Sequence, residues 1–275
     1  MRLSVITRCK NEPYIHEFVS YYIHEGVDRI FIYDDHSDKG AYDKISPEFL
    51  SKIEIITSNP PTTSKYELNT IPFVILYKYI IDYDWVINVD VDEFITSPDN
   101  KTIRDHLKES FKDVDCIKIP WVFMFPKNWE HVPISMLREI IHRRDYTHKV
   151  NKHKQIACNK SIFDIPDCKT IFNPKKYEKC NPHIPITENG ITRIIDSVTH
   201  NPSAPNLWGG VLNETHISKA TFLCYHYRMV SREHLKLKIA GHIYNTLSIN
   251  NSITAFDYPE IEDLTLKNKA DKYNI

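Results

Sequence analysis

The tightest constraint in this sequence is a rhythm. Short apolar runs at Leu3-Ser-Val-Ile-Thr7, Arg29-Ile-Phe-Ile-Tyr-Asp34, Lys52 to Thr57 and Trp85-Val-Ile-Asn-Val89 alternate with stretches of helical spacing. After the first run, Asn11 is a candidate helix cap, with Glu12 and Pro13 in the first turn, where a missing N–H costs little. Ile15, Phe18, Val19, Tyr22 and Ile23 then fall on one stripe of a helix, and Gly26 stands where a left-handed C-terminal residue is wanted. A second helix is expected from Ile71 to Asp82, with Pro72 near its start. A run as continuously apolar as Trp85 to Val89 suits a strand covered on both faces. Strand and helix in alternation predict an α/β fold with a mainly parallel central sheet, whose ligands bind beyond the carboxyl ends of the strands.

Further on, a helix is expected from about Thr102 to Phe111, a strand from Asp115 to Trp121, and a last helix from Ser231 to Leu247. The stretch from Phe125 to Trp208 is rich in Pro, Asn, Lys and His and assigns to no element by pattern. Without repeats, low-complexity tracts or a clean linker, the 275 residues read as one domain, 1–275, with an elaborated C-terminal half.

Composition narrows the function classes. Hydrophobic residues make up 41% of the chain and charged ones 26%, enough to bury a sizeable core. Lys+Arg (35) nearly balance Asp+Glu (36), which argues against a broad basic surface for nucleic acid. The cysteines are scattered, without a CxxC pair, and are expected to be reduced. The start MRLSVITRCKNEPY is too charged for a signal peptide, and the apolar run Ile71 to Ile81 is interrupted by Lys78, so no transmembrane segment is expected. A cytoplasmic chain is the expectation, unless an anchor lies outside this sequence.

Asp90-Val91-Asp92-Glu93 directly follows the Trp85–Val89 run. On extended backbone, residues two apart share a side, so Asp90 and Asp92 would offer paired hard oxygen ligands to Mg²⁺ or Mn²⁺. Acidic residues also end strands as loop solvators or caps, but here they sit where a parallel sheet gathers its ligands.

Four segments in order then resemble glycosyltransferase family 92 and its family-2-like relatives: Thr7-Arg-Cys-Lys-Asn-Glu12, Glu17-Phe-Val-Ser-Tyr-Tyr-Ile-His-Glu-Gly-Val27, Ile32-Tyr-Asp-Asp-His-Ser-Asp38, and Trp85 to Phe94. A fifth, Cys224-Tyr-His-Tyr-Arg-Met-Val-Ser-Arg-Glu-His-Leu235 with Lys238 and Gly241 beyond, is similar to the family's late His-Tyr and helix segment. The resemblance implies a GT-A fold, with residues 1–100 as the nucleotide-binding half and 101–275 as the acceptor side. It implies a metal-dependent transfer of a hexose, galactose first, from a UDP-sugar to a glycan or glycoprotein, with inversion.

Carried over residue by residue, Asp90, Asp92 and His226 become the ligands of Mn²⁺ (or Mg²⁺). Thr7, Arg8, Asp34, Asp90 and Lys154 become contacts to the nucleotide sugar, and His183 a candidate site-lining residue. Aromatic faces pack on sugar rings, which singles out Trp121 and Trp208 by position. Inversion needs a carboxylate base; among Asp145, Asp164, Asp167, Glu188, Asp196 and Glu214 the choice falls on Glu214, which follows Trp208-Gly-Gly210 and precedes His226. Two rivals remain. A nucleotidyltransferase would want a glycine-rich loop where Arg8-Cys-Lys-Asn-Glu-Pro13 stands. A catalytically inactive carbohydrate- or nucleotide-binding domain would keep the fold without the chemistry.

Overall fold

A computed structural model describes residues 1–57, 59, 61–99, 101–147, 167–187, 192–203, 212–241 and 260–275. Its strands are β1 (Leu3–Cys9), β2 (Arg29–Asp34), β3 (Ile53–Thr57), β4 (Trp85–Asn88), β5 (Glu93–Thr96), β6 (Cys116–Phe125), β7 (His142–Arg144), β8 (Cys168–Phe172), β9 (Lys179–Cys180), β10 (Pro185–Ile186), β11 (Ile194–Asp196), β12 (Leu223–His226) and β13 (Glu260–Glu262). The helices are α1 (Ile15–His24), α2 (Lys65–Ile80), α3 (Ile103–Ser110), α4 (Met136–Glu139), α5 (Glu214–Lys219), α6 (Arg232–Gly241) and α7 (Thr265–Tyr273), with two short 3₁₀ turns between.

The main sheet runs β13-β7-β6-β8-β4-β1-β2-β3. Strands β3, β2, β1 and β4 are mutually parallel. β8 lies antiparallel between β4 and β6, so β6 runs with the parallel block. The expected α/β sheet with a mainly parallel core is therefore what the strands form. From β1 the chain adds β2 and β3 on one side, then returns to place β4 on the other. The loops after β1 and β4 thus flank a topological switch point, where such sheets hold ligands.

Alternation along β1 feeds two cores. Leu3 and Val5 join one with Ile15, Phe18, Val19 and Tyr22 of α1, all buried. Ile6 joins the other, with Phe73, Leu76 and Ile80 of α2 on the opposite face. Full burial of each such side chain contributes about 1.5–3 kcal/mol, which suffices to hold two helices against the sheet. Gly26 ends α1 at φ +94°, and a Cβ there would stand 2.7 Å from that of Arg104, so both backbone and packing require glycine.

Three expectations change. Asn11 does not cap α1, which starts four residues later without a side-chain cap. Instead Asn11 adopts φ 54° and bridges to the next loop, accepting from the Asp38 amide at 2.6 Å. α2 begins at Lys65 rather than Ile71, because Ser64 caps it by accepting the Glu67 amide. Pro72 consequently lies inside the helix and supplies no N–H to the Leu68 carbonyl one turn back. The Arg8 guanidinium donates to that carbonyl at 3.1 Å instead. Third, Asp90 and Asp92 are not on extended backbone: the Glu93 amide donates to the Asp90 carbonyl at 3.0 Å, making a tight turn between β4 and β5.

The helix expected from Ser231, α6, starts there, with the Ser231 hydroxyl accepting the His234 amide at 3.1 Å, but it is not the last, since α7 follows at Thr265–Tyr273. Its anticipated end at Leu247 lies outside the described residues. Cys9, Cys116, Cys168, Cys180 and Cys224 are free and buried. Among the described residues no helix is long and apolar enough to cross a membrane.

Candidate active site

The turn after β4 sends its acids to different partners. Asp90 accepts from Arg8 Nε at 2.8 Å and from Lys169 Nζ at 2.8 Å. Arg8 is held in place by α2, through the Leu68 carbonyl freed by Pro72 and through Asn69 Oδ1 at 2.7 Å. Burial works against a charged Asp90, but Arg8 and Lys169 outweigh it and hold its carboxyl well below the ordinary range. Lys169, on β8 and 1% exposed, also pairs with Glu93 at 2.9 Å and donates to the Pro182 carbonyl at 2.9 Å. Burial alone would lower its pKa, yet Asp90 and Glu93 raise it.

Asp92 turns the other way. Its Oδ1 lies 3.6 Å from His226 Nε2, and its Oδ2 is ion-paired to Lys238 of α6. Burial opposes its charge, and Lys238 followed by His226 reverse that, leaving its carboxyl well below the usual range. His226 itself is pushed down by burial, which the neighbouring carboxylate does not offset, so the imidazole is neutral near pH 7.

Glu93 completes the cluster. β12 pairs with β5 so that His226 stands directly opposite Glu93, and directly opposed residues of an antiparallel pair share a face. Glu93 Oε2 accepts the Asp90 amide at 2.7 Å and the Lys169 ammonium. Its Oε1 lies 4.0 Å from His226 Nδ1, too far for a hydrogen bond. Both of these atoms are buried with no hydrogen-bond partner among the described residues. Burial, with Asp90 and Asp92 close by, raises the Glu93 carboxyl to about 8 despite Lys169.

Asp92, Glu93 and His226 can each turn a ligand atom to a common point, these atoms lying within 4.8 Å of one another. Ligands about 2.1 Å from one ion stand roughly 3–4.2 Å apart; one imidazole nitrogen serves a single ion, and the 3.6 Å from His226 Nε2 to Asp92 falls in that range. Mixed carboxylate and imidazole donors fit Mn²⁺ well and Mg²⁺ less well. The orphaned Glu93 oxygen and His226 nitrogen are the observation that speaks for a ligand here, since buried polar atoms are nearly always partnered.

An aromatic wall borders the cluster. The Trp121 ring lies 4.6 Å from that of His226 and 5.5 Å from that of His183, and Phe123 lies 5.3 Å from His226. The buried Trp121 Nε1–H has no acceptor among the described residues.

A family profile described as Glycosyltransferase family 92 matches residues 75–267, most of the chain and the whole of this cluster. The chain belongs to glycosyltransferase family 92. It is 27% identical over 107 residues to a glycosyltransferase family 92 protein of Oryza sativa subsp. japonica, a match that takes in 38% of this chain and 18% of the rice protein. Among solved structures it is similar to GalNAc-T7 with UDP, GalNAc and Mn²⁺ (8% identity, TM-score 0.40, 100% of this chain and 54% of that one). It is also similar to glucosyl-3-phosphoglycerate synthase of Mycobacterium tuberculosis with Mn²⁺, UDP-glucose and phosphoglyceric acid (12% identity, TM-score 0.27, 44% of each chain). Both likenesses are distant.

The other residues expected at a family 92 site are placed as follows. Thr7 is buried near the end of β1. Asp34, at the end of β2, accepts from the Ser37 amide at 3.2 Å and from the Tyr42 hydroxyl at 2.7 Å. Lys154 and Trp208 lie outside the described residues. His183 Nδ1 is 3.1 Å from the Cys168 carbonyl, which turns its ring to Trp121.

Glu214 is not brought to the acidic cluster. It opens α5, clamps Arg143 through two 2.8 Å hydrogen bonds and accepts the Tyr146 amide at 2.8 Å. Arg143 in turn holds Asp263 at 2.7 Å, and Asp263 accepts from the Tyr225 hydroxyl at 3.0 Å. Tyr225 and His226 are neighbours on β12 and face opposite sides, so Glu214 belongs to a charge cluster behind the strand that carries His226.

Sequence reading missed Lys169, whose lone position in an unassigned stretch gave no signal. It also gave no role to Lys238. The spacing His234 to Lys238, one turn apart behind a Ser231 cap, marks one helix face and could have found it.

Proposed function

We propose that this chain is a divalent-metal-dependent glycosyltransferase that takes a hexose from a UDP-sugar and passes it, with inversion, to a glycan or glycoprotein. Galactose is the first sugar to test. The observation that carries the reading is the buried trio Asp92, Glu93 and His226, with two orphaned donor atoms facing one another, at the switch point of a family 92 chain.

In this reading Asp92, Glu93 and His226 hold Mn²⁺ (or Mg²⁺). The bound ion would neutralise the diphosphate, lowering the barrier to departure of the nucleoside diphosphate from the sugar. Asp90 serves as a pivot rather than a full ligand: Arg8 and Lys169 hold its carboxylate, and its backbone amide anchors Glu93. Lys169 sets which Glu93 oxygen remains for the ion. Thr7, Arg8 and Asp34, at the carboxyl ends of β1 and β2, lie on the nucleoside side. Trp121 turns an apolar face and a free indole N–H to the donor sugar.

Thermal-shift measurement with a panel of nucleotide sugars and Mn²⁺, followed by a transfer assay on the stabilising donor, tests this reading. Stabilisation by a UDP-sugar in Mn²⁺ that disappears in EDTA supports it. Failure of every nucleoside diphosphate to stabilise the chain would sink it.

A further inference from the structure

The acidic turn is served by two lysines that differ in freedom. Lys169 is 1% exposed and locked by Asp90, Glu93 and the Pro182 carbonyl. Lys238 reaches in from α6, keeps 18% of its side chain exposed, and meets Asp92 Oδ2, its one further hydrogen bond among the described residues being a long 3.5 Å contact to the Arg228 carbonyl. It shares its helix face with His234, whose Nε2 lies 3.8 Å from Glu12 in the loop after β1. The two side chains therefore meet the loops that follow β1 and β4 at the switch point. A lysine ammonium is a compact point charge on a flexible stem, and it can change partners without losing a fixed fork geometry.

Arg8 and Lys169 are already committed to Asp90, and Lys169 also to Glu93, which leaves Lys238 as the cation on Asp92. A bare divalent ion arriving at Asp92 would meet the Lys238 ammonium on the same carboxylate. Two cations competing for one acid in a buried, weakly screened place repel strongly. A metal–diphosphate pair brings its own negative oxygens, which give that ammonium a new partner.

We infer that Lys238 is an internal counter-cation for Asp92 that passes to the diphosphate when donor and metal bind, so that the site takes the ion with its nucleotide and resists the ion alone. This rests on the metal-site reading above and adds a direction to it. Lys238 opposes free Mn²⁺ and favours the Mn²⁺–UDP pair, so UDP and Mn²⁺ raise one another's affinity through it, reciprocally as linkage requires. Lys238 acts as a positioning and binding residue and exchanges no bond or proton.

The test is calorimetric titration of Mn²⁺ alone, and of UDP at saturating Mn²⁺, into the full chain carrying Lys238, Lys238→Met or Lys238→Arg, with the fold of each checked by its melting curve. Lys238→Met should bind Mn²⁺ alone roughly tenfold tighter and UDP about tenfold or more weaker, shrinking the coupling between the two ligands. Lys238→Arg keeps the charge and should restore most of the coupling. If Lys238→Met binds free Mn²⁺ no tighter than the parent does, or loses both affinities together, the counter-cation role is overturned. A parent chain that binds neither Mn²⁺ nor UDP overturns the metal site itself, a result distinguishable from a failure of Lys238 alone.

Discussion

Two charge clusters lie back to back across β12, and they are built on opposite principles. Behind the strand, Arg143 grips Glu214 with two hydrogen bonds and Asp263 with a third, and Tyr225 and Tyr146 add further donors to the same acids. In front, Asp92, Glu93 and His226 crowd together with two buried ligand atoms unpartnered among the described residues. The paired cluster binds β7, β12 and the start of α5 to the segment before α7, each of its acids meeting the Arg143 guanidinium. The unsatisfied one costs stability in isolation, which points to a partner that the described residues do not supply.

The comparison can be broken most forcefully at Asp92. Asp92→Ala should abolish the Mn²⁺-dependent stabilisation by UDP and cut transfer by about 10²–10³ or more, the scale of losing one electrostatic stabiliser, while melting changes little. Arg143→Ala should do the reverse. It leaves two acids without their cation, costing about 3–5 kcal/mol and on the order of 10 °C in melting, with UDP affinity retained. Glu214→Gln comes next: a loss of about 1–2 kcal/mol is expected from the weakened clamp, with turnover within a few-fold. A fall of about 10²–10⁴ in kcat would instead mark Glu214 as the base.

The smallest effect is in pH. Burial alone would raise the Asp263 carboxyl, but hydrogen bonds from Thr265 and the Arg143 charge bring it below its usual 3.8. Its contribution to stability is therefore complete above the unfolded value and is lost as pH falls through it toward the folded one. Melting followed from about pH 5 down to about pH 3 should fall less steeply in Asp263→Asn than in the parent.

What could be read from sequence divides along similar lines. β1, β2, β4, α3 and most of α1 were legible because each is signalled by its own residues, by continuous apolar runs or a helical stripe. So was the importance of Asp90-Val91-Asp92-Glu93, from its place after β4. The arrangement within that motif was not legible, because the backbone turns at Asp90 and separates two acids that an extended chain would align. The start of α2 was missed because Pro72 looked like a first-turn residue, when its role is to free the Leu68 carbonyl for Arg8. Glu93 as a donor to the site follows from its pairing with His226 across two strands distant in sequence. Lys169 reaches the turn from a strand far along the chain, and no local pattern records that contact, whereas the face shared by His234 and Lys238 behind the Ser231 cap did mark Lys238.

The most direct measurement is calorimetric titration of UDP into the intact chain, once with Mn²⁺ and once with EDTA. Saturable binding with Mn²⁺ and none with EDTA is the expected result. Equal UDP affinity in both would mean that Asp92, Glu93 and His226 hold no metal for the nucleotide, and the two clusters would then differ in polarity alone.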